Sequence, residues 1–158
     1  MKIDAIDHAI LDVLQRDGRI PNVRLATKVG LSESACLRRT RALEESGVIA
    51  RYVAVVDPQS VGLPGNVFVH IALNRQDQVD LDAFEEAVCE IPEVIECFLM
   101  TGEFDYLVHV VVADAADYER IHRSRLTPLP GVARVQSSFA LRAVKATDGL
   151  PLAARPID

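Results

Sequence analysis

At 158 residues and 17.3 kDa the chain has room for one ordinary domain or two small ones, and with 49% apolar residues it is expected to fold rather than stay disordered. No apolar run approaches the ~18 residues needed to span a bilayer, and the start, MKIDAIDHAIL, lacks the apolar stretch of a signal peptide, so a cytoplasmic protein without membrane partners is expected. The formal net charge of −6 argues against nucleic acid, but only until its distribution is read.

A first helix is expected over residues 4–16, with Asp4 as N-cap, Asp7 in the capping-box position, and Ile6, Ile10, Val13 and Leu14 as its apolar stripe. Asp17 and Gly18 end it. Residues 22–51 then read as two short helices joined by a tight turn. Asn22 can cap the first, whose apolar positions are Val23, Leu25, Ala26 and Val29; Gly30 ends it and Leu31 plugs the gap. Ser32 caps the second, which runs to about Ser46 before Gly47 stops it. At about 100° per residue Cys36, Thr40 and Leu43 share an inward stripe, whereas Ser34, Arg38, Arg41 and Glu45 lie opposite, with Leu37 and Arg39 on the flanks.

Arginines and small hydroxyls backed by a core stripe suit a helix that reads the major groove, because Arg reaches guanine edges bidentately and Ser bonds bases or phosphates. Asn22, Ser32, Ser34, Leu37, Arg38, Arg39 and Arg41 are therefore the candidate DNA contacts. Charge supports this. Residues 1–60 hold nine Lys/Arg and eight Asp/Glu (9 − 8 = +1), and residues 61–158 hold eight and fifteen (8 − 15 = −7), which restores the total of −6. Within the first part, residues 16–51 carry eight basic and four acidic groups, a basic head on an acidic body.

After Gly47 the period changes. Residues 48–56, rich in β-branched side chains, read as a strand, and 57–66, with Asp57-Pro58 and two glycines, as a linker. The remainder reads as strand 66–74, helix 80–90, strand 94–101, strand 105–113, helix 115–127 and strand 132–143, with the punctuation Ile91-Pro92-Glu93-Val94 returning as Leu129-Pro130-Gly131-Val132. That is βαβ twice. The fold class expected is α+β: an N-terminal helix-turn-helix, winged-helix-like domain over 1–56, the linker, a ferredoxin-like βαββαβ domain over 67–146, and a loosely held tail over 147–158. Both faces of strands 66–74 and 105–113 are largely apolar, so the face without helices needs cover, most simply from a second copy in a two-fold dimer.

Metal and thiol chemistry find little footing. Cys36, Cys89 and Cys97 are isolated, and His8, His70, His109 and His122 are scattered, so neither a disulfide framework nor a metal site nor a cofactor is expected. Glu103, Asp105 and His109 are the nearest thing to a catalytic set, yet alternation leaves Asp105 and His109 roughly 13 Å apart along a strand, and no nucleophile or phosphate-loop motif accompanies them. An enzyme is not expected.

Taken together these residues resemble the Lrp/AsnC family of transcription regulators. Residues 3–11, 17–20, 31–39 and 43–49 are similar to its DNA-binding half, and 101–107, 129–132 and 144–147 to its effector-binding half. The resemblance implies a homodimer, often assembled further into octamers, that binds double-stranded DNA. It also implies a small effector, usually an amino acid, bound between dimers. Gly102, Glu103, Phe104, Asp105 and Tyr106 match the family's effector loop, and Asp114, Ser137, Ser138 and Phe139 match other effector-proximal positions. A free amino acid needs acceptors for its ammonium and donors for its carboxylate. Gly102-Glu103 equally reads as a plain hairpin connection and Asp114 as a helix cap. Thr40 departs from the family, standing where an apolar residue is usual; its methyl can pack and its hydroxyl can bond back into the helix. A DNA-binding architectural protein with no effector is the alternative function.

Overall fold

The computed structural model describes residues 2–147 and 149–152. Within them the chain forms two compact units. One comprises the residues up to Val55 together with those from Lys145 onward; the other is Val56–Val144.

The first unit is built on three helices: α1 (Ala5–Arg16), α2 (Asn22–Val29) and α3 (Glu33–Glu45). Asp4 caps α1 by accepting from the Ile6 and Asp7 N–H groups, and the Asp7 carboxylate accepts from the Asp4 N–H, a complete capping box. Pro21, not Asn22, occupies the N-cap of α2, because its fixed φ suits the extended cap position. Gly30 closes α2 in the left-handed conformation (φ 69°), which lets the Leu31 N–H reach back to the Ala26 carbonyl. Ser32 caps α3, its Oγ accepting from the Ala35 N–H at 3.3 Å. Ile10, Ile20, Leu25, Ala26, Cys36 and Leu43 form the core, with Leu31 and Ile49 packed on its margin.

The strand expected over 48–56 does not form. A strand needs a neighbour to pair its backbone groups, and none lies beside this segment among the described residues; Val53, Val55 and Val56 are exposed instead. The segment is anchored at its start, where the Tyr52 hydroxyl donates to Glu44 Oε1 at 2.9 Å. Thr40 packs on the inward side beside the Cys36 thiol, and its buried hydroxyl makes no hydrogen bond to the helix backbone.

The second unit is a four-stranded sheet in the order β2-β3-β1-β4, with every neighbouring pair antiparallel. Its strands are β1 (Gly65–Leu73), β2 (Val94–Leu99), β3 (Tyr106–Val112) and β4 (Val132–Phe139); its helices are α4 (Gln78–Cys89) and α5 (Ala115–Ile121). This is the ferredoxin-like arrangement. β1 starts within the expected linker because Gly65 lies against Val112, where an added Cβ would stand 2.6 Å from a valine methyl. α5 runs on into one π-helical turn (His122–Leu126), closed by the Thr127 N–H on the His122 carbonyl.

Alternation decides the layers. Val67, Val69, Ile71 and Leu73 of β1 and Tyr106, Val108, Val110 and Val112 of β3 are buried against Phe84, Val88, Tyr118 and Ile121 of the two helices. The opposite face presents Phe68, His70 and Ala72 beside Leu107, His109 and Val111, half-buried, with exposed Phe98 paired to Leu107. At the far end of the chain the described residues 149–152 do not trail loose: they lie on α1. Of the expected tail, positions 148 and 153–158 lie outside the described residues.

Candidate nucleic-acid interface and effector site

The outward side of α3 carries Ser34, Leu37, Arg38, Arg41 and Glu45, which with Ala42 line one shallow open groove. Arg38 and Arg41 are exposed, and neither makes an ion pair or side-chain hydrogen bond among the described residues. Two guanidinium groups one turn apart, left free, are available to base edges and phosphates. Leu37 between them, 40% exposed, offers an apolar contact of the kind a thymine methyl accepts. Ser32 sits at the start of the helix, its hydroxyl 3.4 Å from that of Ser34.

Arg39 belongs elsewhere. Its guanidinium donates to Asp7 Oδ1 (2.8 Å) and Asp4 Oδ2 (2.9 Å), so it ties α3 to the capping box of α1. Both carboxylates, Asp7 first, hold the arginine's pKa above its ordinary value. Asp7 is only 4% exposed, and this pairing is what lets a carboxylate be buried there. Asn22 is similarly engaged: its Nδ2 donates to the Glu33 carbonyl at 2.9 Å and fastens α2 to the start of α3. Both residues therefore hold α3 in place. Helical spacing could flag Arg39 as a flank residue, but its partners lie 32 and 35 positions away.

The effector candidates fall into two groups. Around residues 102–104, Gly102 (φ 116°) turns the chain, Glu103 pairs with Arg134 of β4 at 2.7 Å, and the Arg134 guanidinium lies 4.6 Å over the Phe104 ring. His70 of β1 tilts against the same ring at 5.1 Å. Neither Arg134 nor His70 was singled out from the sequence, because only the β1–β4 register brings them to this loop. Asp105 is half-buried and accepts from the Leu73 N–H at 2.7 Å. Tyr106 is a core residue, 1% exposed, stacked on Phe84 and donating to Glu85 at 2.8 Å; burial first, then Glu85, push its pKa up. Its ring and hydroxyl are thus both engaged in the core.

The second group lies near the other end of the sheet, where β4 pairs Ser137, Ser138 and Phe139 with Val69, Phe68 and Val67. Alternation separates the two serines. Ser138 shares the open face with Phe68, whereas Ser137 shares the helix face and is hydrogen-bonded to the Tyr118 hydroxyl. Phe139, 47% exposed, meets Tyr118 edge-on at 5.2 Å, and the His122 ring tilts against Tyr118 at 5.9 Å. Asp114 is the N-cap of α5, accepting from the Asp117 N–H at 2.8 Å, which is the plain structural role open to it from the start.

The residues considered for catalysis are not assembled. Asp105 serves the β1 backbone, Glu103 pairs with Arg134, and His109 has Glu96 Oε2 at 3.1 Å and Asn66 Oδ1 at 2.8 Å on its two ring nitrogens. Burial, with smaller contributions from Cys89 and Glu85, pushes the Cys97 thiol up to about 11, which leaves it protonated at neutral pH. Among the described residues no cluster of His, Cys, Asp or Glu is placed to hold a metal, and no helix is long and apolar enough to cross a membrane.

Two family models cover most of the chain: the AsnC-type helix-turn-helix domain matches residues 3–44 and the Lrp/AsnC ligand binding domain matches residues 66–150. The chain belongs to the Lrp/AsnC family. It is a DNA-binding transcriptional regulator with a ligand-binding domain. This Lrp/AsnC regulator is 42% identical to the Bkd operon transcriptional regulator of Pseudomonas aeruginosa, covering 96% of this chain and 99% of that one. It is 41% identical to the leucine-responsive regulatory protein of Haemophilus influenzae, over 95% and 90% of the two chains. A crystal structure of a Neisseria meningitidis transcriptional regulator in complex with L-Met superposes with a TM-score of 0.91 at 39% identity, over 95% of this chain and 97% of that one. Such relatives are transcriptional regulators, which are not enzymes.

Proposed function

We propose that this regulator reads specific double-stranded DNA through Ser34, Leu37, Arg38 and Arg41 on α3, aided by Ser32, and that an amino acid is its effector. The observation that carries the DNA interface is the pair of unpaired, exposed guanidinium groups on α3, set beside an Arg39 that is fully engaged inside the unit. The amino-acid effector rests on the ligand-binding domain and on the L-Met bound to a close structural neighbour. Arg134 is suited to a carboxylate and Glu103 to an ammonium, and the two now neutralise each other at 2.7 Å, so a zwitterion could take over both charges.

One chain does not bring its two effector groups together. Residues 102–104 lie where β1 ends, by Ala72 and Arg134, and residues 138–139 lie where β1 begins. A site that uses both is therefore completed by another copy. The open sheet face supports self-association: it is half-buried and apolar, and His70 Nδ1 is buried there without a hydrogen-bond partner, which a covering copy could supply. A homodimer covering this face, with further assembly up to an octamer, follows from this reading.

The test is a gel shift on DNA from upstream of the protein's own gene, at fixed salt with competitor DNA, alone and with each amino acid in turn. Discrete complexes whose affinity or mobility changes with one amino acid are expected. Specific binding that no amino acid alters would favour an architectural, effector-independent protein.

A further inference from the structure

Gln15, in the last turn of α1, grips residue 150 at both of its backbone groups. The Leu150 N–H donates to Gln15 Oε1 at 2.6 Å, and Gln15 Nε2 donates to the Leu150 carbonyl at 3.2 Å. Gly149 lies on the Gln15 stem, where an added Cβ would stand 3.6 Å from Gln15 Cβ. The Leu152 N–H turns back onto the Leu150 carbonyl at 2.8 Å, and its half-buried side chain lines a mostly apolar groove together with Leu11 and Leu14 of α1 and Ile49 of the following segment. A primary amide that satisfies the N–H and C=O of one residue provides the two-point pairing a neighbouring strand would give. It holds a backbone at a defined place, and it does so 135 positions away in the chain.

The chain passes between its two compact units twice, at Val55–Val56 and again at Val144–Lys145. The first passage runs through exposed, irregular chain from Val53 to Gly62. Beyond the second passage, the Gln15 grip fixes residues 149–152 on α1 of the reading head.

We propose that residues 149–152 are a latch, with the groove of α1 as their docking surface, and that the latch sets affinity for DNA carrying two half-sites. The proposal rests on the DNA-reading function above. Two heads bind two half-sites well when the second finds its site at high effective concentration, and a freed head dilutes that concentration. Binding of one head to one half-site involves no such term.

Two full-length variants remove the latch without touching α3: Gln15→Ala deletes the grip, and Leu150→Pro deletes the N–H that it holds. Amide exchange of Leu150 is expected to be slow in the parent and fast in Gln15→Ala; fast exchange in the parent would overturn the latch whether or not DNA is bound. Fluorescence anisotropy at one salt concentration then compares a duplex with both footprinted half-sites and a duplex with one. Both variants are expected to lose about tenfold on the double site and less than about twofold on the single site. Parent-like affinity on the double site overturns the proposal, and so does an equal loss on both duplexes, which would mean a damaged head. Failure of the parent to bind either duplex would instead remove the DNA-reading function on which the proposal stands.

Discussion

The reading head and the effector sheet solve opposite problems with similar materials. The head is small, with a core of six buried residues among those described, and it leaves two arginines free while a third is paired with two aspartates. Its proposed interface lies within one chain. The sheet has the larger core, fifteen buried residues, yet its candidate effector residues point to two ends and two faces. A stable scaffold can thus carry an unfinished site, while a slight one carries a finished interface. What matters is whether the site needs one copy or more.

The comparison predicts, first, that core truncation in the sheet is the severest change. Phe84→Ala removes a fully buried ring stacked on Tyr106 and is expected to cost about 3–5 kcal/mol, measured by urea unfolding. A cost near zero would mean that the effector core is not as packed as described. Next comes the reading face. Arg38→Ala and Arg41→Ala are each expected to weaken specific DNA binding by about 1–3 kcal/mol while leaving the oligomer and the melting temperature unchanged. Normal binding by both would remove α3 as the reading helix.

Arg39→Ala is expected to do the reverse of its neighbours: a melting temperature lowered by several degrees, because Asp7 stays buried without its cation. Its pH dependence has a definite sign. Asp4 is held below its ordinary value of 3.8, chiefly by the Asp7 N–H and then, against some desolvation, by Arg39. A depressed carboxylate stabilises the fold fully above 3.8 and stops doing so as pH falls through the lowered value. Thermal melts between pH 5 and 2 are therefore expected to show an acid loss that is smaller in Arg39→Ala.

The smallest effect separates the two readings of Asp114. Asp114→Ala is expected to cost about 1 kcal/mol as a lost N-cap and to leave any effector response intact; a lost response at unchanged stability would restore it as a ligand contact.

Local periodicity made the head readable from sequence. The stripe of Cys36 and Leu43, the caps at Asp4 and Ser32, and the outward Arg38 and Arg41 all follow from spacing within one helix. The sheet's layers were equally legible, since alternation in β1 and β3 decides which valines are buried. What spacing could not carry were pairings across long stretches of chain: Arg39 with Asp7, Arg134 with Glu103, Gln15 with Leu150. The segment 48–56 was misread because β-branched composition states what a strand would accept, not whether a partner is present. Nor does the effector loop's spacing carry the partners of its last two residues, Leu73 of β1 for Asp105 and Glu85 of α4 for Tyr106.

The claim that the effector site is shared between copies is tested most directly by complementation. Phe104→Ala damages the loop group and Phe139→Ala the edge group, and each homogeneous variant is expected to bind DNA without responding to the amino acid that acts on the parent. Mixed and reassembled oligomers of the two variants pair an intact loop from one copy with an intact edge from another. Recovery of part of the response in the mixture is the predicted result; two unresponsive variants that stay unresponsive when mixed would contradict a site completed between copies.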